Sequence, residues 1–290
     1  MRAIELLNPF YVFRRRHLVR PYLKRRLKWQ PTLRALDRIL TLAGLPITAN
    51  SRRLAALRNR HRGQRCFVIG NGPSLLTGDL DRLKNEITIA SNKIYLAFGQ
   101  TDWRPTYYTA IDTVVMGNAA DVISSLPFPK IFPRGTEHIV GVTPETMFCD
   151  LGVDWVDIGD FRPGFSPDLR HRIFGGECVT YFNIQVAYYL GCREIYLLGV
   201  DFSFVIPKKK VADKGYEFIL ESEGEQNHFV KDYRPVGEKW TMPHLREQRM
   251  AFEYCREYVR QHGGAVYNAS RKSELDVFER VDFDALFVSK

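Results

Sequence analysis

From residue 64 onward, short apolar runs alternate with stretches of helical periodicity, and this alternation constrains the chain more than any other feature. Strands linked through helices are joined by crossovers into a mostly parallel sheet covered by helices. Arg65-Cys66-Phe67-Val68-Ile69 is a short apolar run followed by glycine, hence a buried strand. Ile87 to Ala90, Thr106 to Ile111, Ile139 to Val142 and Trp155 to Ile158 are further strand candidates, and Ile195 to Val200 is the clearest. Val179, Phe182, Ile184, Val186, Ala187 and Leu190 form an apolar helix face closed by Gly191. His244 to His262 reads as a polar-faced helix stopped by Gly263-Gly264, and Ala265 to Asn268 as a last strand. The expected fold is α/β and Rossmann-like: a mostly parallel sheet flanked by helices over residues 63–290, preceded by a basic helical arm over residues 1–62.

The arm is where composition matters. The chain of 290 residues carries a net charge of +9. Residues 1–62 hold 16 Lys and Arg against Glu5 and Asp37, a net +14, while the remainder is at −5. In that segment Phe10 to Phe13, Leu18, Val19, Tyr22, Leu23 and Trp29 interleave with Arg14 to Arg16, Arg20, Lys24 to Arg26 and Lys28. Such interleaving suits an amphipathic segment at the headgroup level of an anionic membrane, reached through residues 1–50; a basic helix packed on the domain is the plainer alternative. No stacking platform for RNA is evident, so no specific nucleic acid is expected. Leu33, Leu36, Ile39, Leu40 and Ala43 recur at helical spacing, and Pro46 with Ala49-Asn50-Ser51 reads as a linker.

Hydrophobic residues at 45% and charged residues at 26% exclude a disordered or fibrous chain. Cys66, Cys149, Cys178, Cys192 and Cys255 form no C-x-x-C pair and read as free thiols of a reducing compartment. There is no apolar stretch ending in a cleavage site at the N-terminus and no apolar run long enough to span a bilayer. A cytoplasmic protein is expected, with a peripheral hold on the inner membrane face.

Candidate chemistry collects at predicted strand ends, where open parallel sheets bind ligands. Gly70-Asn71-Gly72-Pro73-Ser74 follows the first strand. Two glycines allow close backbone approach, and amides at a following helix start suit a phosphate; a tight turn with Ser74 as a helix cap is the alternative. The motif is neither a Walker A loop nor the dinucleotide fingerprint. Asn92 after the second strand could hydrogen-bond a ribose or base, and Asp112 a ribose or a metal, although both residue types also favour turns. Asp201, in Gly199-Val200-Asp201-Phe202, could orient a sugar, a metal or a catalytic His, or form a structural salt bridge. His228 and His244 lie in a loop dense in Tyr, Arg, Glu and Trp, and either could serve as general base. Zinc-ligand spacing, a Gly-x-Ser-x-Gly elbow and a strand-end Asp-x-Asp are all absent.

Arg65 to Leu75, with Ser91-Asn92, Leu198 to Phe202, Asn227-His228-Phe229 and Tyr267-Asn268-Ala269, resembles the MptE-like 6-hydroxymethylpterin diphosphokinase domain family over roughly residues 55–290. The same motif is similar to that of the bacterial sialyltransferases of glycosyltransferase family 42. That resemblance implies a metal-independent transferase that moves a CMP-activated sugar to a surface-glycan or lipid-linked acceptor. It places the nucleotide on Gly70 to Ser74 and Asn92, and it makes His244, opening a late helix, the general base; Asp112, Gly199 and Asp201 join the candidate nucleotide site by their position at strand ends. Where those enzymes have a Tyr after Asp-Phe this chain has Ser203, with Tyr216 a loose substitute for a second such Tyr. The diphosphokinase resemblance implies instead pyrophosphoryl transfer from ATP with Mg²⁺, held by Asp112 or Asp201. A catalytically inactive nucleotide- or glycan-binding module is the third expectation.

Overall fold

The computed structural model describes residues 30–157, 160–208, 210–213 and 218–288. Helices α1 (Gln30–Leu42) and α2 (Ala49–Leu57) precede strand β1 (Cys66–Ile69). Then come α3 (Thr77–Asp81), β2 (Ile87–Ser91), β3 (Tyr107–Thr109), α4 (Thr113–Asn118), α5 (Ala120–Ser125) and β4 (Lys130–Pro133). They are followed by α6 (Glu137–Val140), β5 (Thr146–Cys149), a small hairpin of β6 (Trp155–Asp157) and β7 (Asp160–Phe161), α7 (Val179–Tyr189) and β8 (Glu194–Leu198). The last part holds β9 (Lys210–Asp213), β10 (Phe218–Glu221), β11 (Lys239–Thr241), α8 (Leu245–Gln261), β12 (Ala265–Asn268) and β13 (Glu279–Arg280).

Eight strands pair in parallel in the order β13-β12-β8-β1-β2-β3-β4-β5. The chain runs outward from β1 to β5, then returns to the other flank of β1 with β8. Strand order therefore reverses between β1 and β8, and a crevice opens beyond their carboxyl ends. Strand β1 is buried on both faces because alternate side chains feed two cores. Cys66 and Val68 enter the core shared with α2, α7 and α8, whereas Phe67 and Ile69 enter the core beneath α3, α4 and α5. Helix α7 is buried all round, as an apolar helix without a polar face must be. Of its internal polar groups, Gln185 bonds the backbone of Ser166 and Phe174, and the Asn183 oxygen accepts from Thr109, while Asn183 Nδ2 has no partner among the described residues.

Several expectations are corrected. Glu137 to Val140 is a short helix, so the proposed strand over 139–142 does not exist. Trp155 to Asp157 pairs antiparallel with β7, outside the main sheet. The stretch read as a linker at 49–51 opens α2, where Thr48 and Ser51 form a capping box. Leu54 and Leu57 of α2 belong to the core, and Asn50 hydrogen-bonds both backbone groups of Phe148 on edge strand β5. The described part of the basic segment is thus packed on the body, α2 through Leu54 and Leu57 and α1 through buried Thr41, whose carbonyl accepts from Arg170. Residues 1–29 lie outside the described residues, as does Tyr216. Among the described residues no helix is long and apolar enough to cross a membrane, and the five cysteines are free.

Candidate active site

The switch point between β1 and β8 is drawn together by its own loops. Gly70 N–H donates to Leu198 O at 2.7 Å, Gly72 N–H to Gly199 O at 2.8 Å, and Ser74 N–H to the Asp201 carboxylate at 2.7 Å. The Ser74 hydroxyl also donates to that carboxylate. A Cβ on Gly70 would stand 2.3 Å from Gly199 O, and one on Gly72 would stand 2.7 Å from Asp201 Cγ. The glycines therefore admit the neighbouring loop. Three of the amides expected to grip a phosphate are spent inside the chain, Pro73 has none, and α3 is only five residues long. Ser74 caps no helix; it is bound to Asp201, whose carboxyl is nonetheless raised above its ordinary range by burial.

A cleft of about 350 Å³ opens here. Gly70, Asn71, Gly72, Asn92, Asp112, Gly199, Asp201 and His228 line it, so residues chosen from five separate stretches of sequence do converge. Ser74 and Pro73 are not lining residues, and Asp112 accepts from Val114 N–H at 2.7 Å as the cap of α4. Of four non-glycine residues with positive φ among the described residues, three line the cleft: Asn92, Glu177 and Phe202. Such conformations cost of order 1–3 kcal/mol and persist where surrounding structure enforces them, often at functional sites.

What the floor offers a ligand is mainly acceptors. The carboxamide oxygens of Asn71 and Asn92 have no hydrogen-bond partner among the described residues. Their orientation is tied down, since Asn71 Nδ2 donates to Ser91 O and Asn92 O accepts from the Tyr108 hydroxyl. An unsatisfied buried acceptor costs about 1–3 kcal/mol, which a ligand hydroxyl or amino group would relieve. Among the described residues, four carboxylates line the cleft, those of Asp112, Asp154, Glu177 and Asp201, and one guanidinium, that of Arg234. Arg234 lies 3.8 Å over the Trp240 ring and 3.6 Å from Glu225, and its Nη1 makes no hydrogen bond among the described residues.

The two histidines differ. His228 Nδ1 meets Asn227 O, and Arg234 Nη2 donates to Nε2 at 3.3 Å. Burial, then the charges of Arg234 and Lys93, push its pKa down to about 3, so the ring is neutral and both nitrogens are engaged. His244 adjoins the cleft through two lining residues. Its Nδ1 sits 2.8 Å from Glu177 Oε2, and its ring meets Trp155 edge-on at 6.1 Å. It precedes α8 without using its side chain as a cap.

Glu177 and Asp154 were not singled out in the sequence. Glu177 is pinned from several sides: Trp155 Nε1–H donates to Oε1 at 2.8 Å and Gln248 Nε2–H to its carbonyl at 2.9 Å. Asp154 accepts the amides of Gly164, Gly175 and Gly176 and so shapes the turn that presents Glu177. Burial, aided by the Glu177 charge and opposed by those amides, holds Asp154 at about 6. The Gly175-Gly176-Glu177 sequence before a helix was the available signal.

The family model described as 6-hydroxymethylpterin diphosphokinase MptE-like matches residues 45–207, more than half of the chain. The chain belongs to the MptE-like family. Among solved structures, this MptE-like chain is similar to the MAf glycosyltransferase from Magnetospirillum magneticum AMB-1, with 14% identity and a TM-score of 0.44 over 79% of this chain and 37% of that one. It is also similar to the sialyltransferase CstII from Campylobacter jejuni in complex with cytidine-5'-monophosphate, with 14% identity and a TM-score of 0.40 over 76% of this chain and 85% of that one. No curated protein matches it.

Proposed function

We propose that the chain is a nucleotide-dependent transferase in which His244 takes the proton from an acceptor hydroxyl, with glycosyl transfer from a nucleotide-activated sugar as the preferred reaction. The carrying observation is the Glu177–His244 pair beside a cleft at the strand-order reversal. A carboxylate on Nδ1–H selects the tautomer whose Nε2 bears the lone pair, the arrangement a general base requires. The acceptor oxygen bonds to the anomeric carbon and its proton passes to Nε2. The bond from that carbon to the nucleotide phosphate oxygen breaks, its electron pair leaving with the phosphate. The nucleoside is assigned to the floor, where the Asn71 and Asn92 oxygens suit ribose hydroxyls or a base amino group. The leaving phosphate is assigned to Arg234, since the glycine-loop amides are committed.

The family description favours a second reading, pyrophosphoryl transfer from ATP to a pterin-like alcohol, which leans on Mg²⁺ to neutralise charge. The donor set does not fit that ion well: Asp112 and Asp201 are each occupied by their own loops, and among the described residues no three His, Cys, Asp or Glu side chains gather at one point. A thermal-shift panel of CMP, CDP, UDP, GDP, ADP and ATP, with and without Mg²⁺, tests the choice. Stabilisation by CMP and turnover of a CMP-sugar in EDTA are expected. Stabilisation by ATP alone, with activity lost in EDTA, establishes the second reading instead.

A further inference from the structure

Helix α1 is docked with its polar side against the protein. Asp37 faces inward and accepts from the amides of Ile47 and Thr48 and from the hydroxyls of Thr48 and Ser51, at 2.8 to 3.3 Å. Thr41, one turn along on the same side, is buried, and its carbonyl accepts from Arg170. The opposite side presents Leu36, Ile39 and Leu42, three residues apart, outward, continued by Leu45 and Ile47. Ile39 is 65% exposed and Leu45 62%. Soluble proteins ordinarily turn such a stripe inward, and a contiguous exposed one marks an interaction surface.

We infer that this face of α1 inserts at the surface of an anionic lipid bilayer. Charge selects the occupant. The stripe follows directly on residues 1–29, which carry nine Lys and Arg against Glu5 alone, with aromatic residues between them. A second copy would bring the same positive segment against its twin, so self-association through this face is opposed. Anionic headgroups meet the arginines while acyl chains take up Leu36, Ile39 and Leu45, the arrangement of helices that lie in the interface plane. This placement does not depend on the chemistry assigned to the cleft.

The test is co-sedimentation of the full chain with phosphatidylcholine vesicles and with vesicles also containing phosphatidylglycerol. The wild type is expected to pellet with the anionic vesicles only. Ile39→Asp with Leu45→Asp is expected to reduce the bound fraction at least ~10-fold, while the thermal midpoint stays near that of the wild type. Should the aspartates disturb the fold, Ile39→Ser with Leu45→Ser gives the same reading. Equal binding by wild type and variant would mean that the arm's charge acts alone and would overturn the inference. Absence of wild-type binding, or wild-type dimers that the variant dissolves, would overturn it in favour of a protein occupant.

Discussion

Under the proposed function the role of general base, for which either His228 or His244 was expected, falls to His244, with Glu177 on its Nδ1. His244→Ala is expected to lower kcat by roughly 10²–10⁴-fold, the usual worth of a general base. Glu177→Gln keeps the shape but loses the charge on Nδ1, so it is expected to lower kcat while moving the acidic limb of the pH–rate profile; an unmoved profile would argue for packing alone. His228→Ala tests stability more than rate. A histidine held near 3, against an ordinary 6.5, is protonated in the unfolded chain first. Its contribution is present above about pH 6.5 and is lost as pH falls toward 3, on the order of 5 kcal/mol in all. Asp154 has the opposite sign, because its raised pKa means the native state holds the proton longer. Relative to Asp154→Asn, the wild type is expected to lose roughly 2–3 kcal/mol as pH rises from about 4 to 6, then to stay level; denaturant titrations across that range check it. Sequence alone located the histidines because their neighbours were conspicuous. It could not show that Arg234 would fill the second nitrogen of one, or that a glutamate 67 residues upstream would hold the other.

The elements most legible in the sequence were those whose burial left a one-dimensional trace. Strands β1 and β8 are continuous apolar runs ended by glycine, and α7 ends at Gly191, where φ is +97°. Strands β4 and β5 were missed because Lys130 and Thr146 stand at their starts. Both are buried, Lys130 with its ammonium donating to the carbonyls of Ser124 and Leu126 at the end of α5, a pairing invisible along the chain. The glycine loop was found in the sequence, but its packing was not: the amides of Gly70, Gly72 and Ser74 donate to Leu198, Gly199 and Asp201. Gly70→Ala is therefore expected to destabilise the protein by about 1–3 kcal/mol even without ligand, seen as a lower thermal midpoint in buffer alone. Asn50 closes the open edge at β5 by bonding both backbone groups of Phe148, a service that short edge strands often need.

At the scale of the whole chain, the parallel sheet followed from the alternation of strands and helices, whereas its order, with the reversal between β1 and β8, and the boundary of the basic segment did not. Basic residues extend through residue 62 with a gap between Arg38 and Arg52, whereas burial already reaches Thr41 in α1 and becomes apolar core at Leu54 and Leu57 of α2. Removing residues 1–46 is expected to leave the thermal midpoint within a few degrees, while removing 1–62 strips Leu54 and Leu57 from the core at a cost of roughly 2–5 kcal/mol each; melting curves of the two truncations distinguish these outcomes. The upper wall of the cleft has a different origin from its floor. Trp240, Thr241 and Met242 come from the antiparallel trio β9–β11, which bonds within itself and is tethered below through Lys93–Glu238 and Phe229–Asn71. Substitutions in that inserted canopy can thus reshape one wall of the cleft while leaving untouched the parallel sheet that carries its floor.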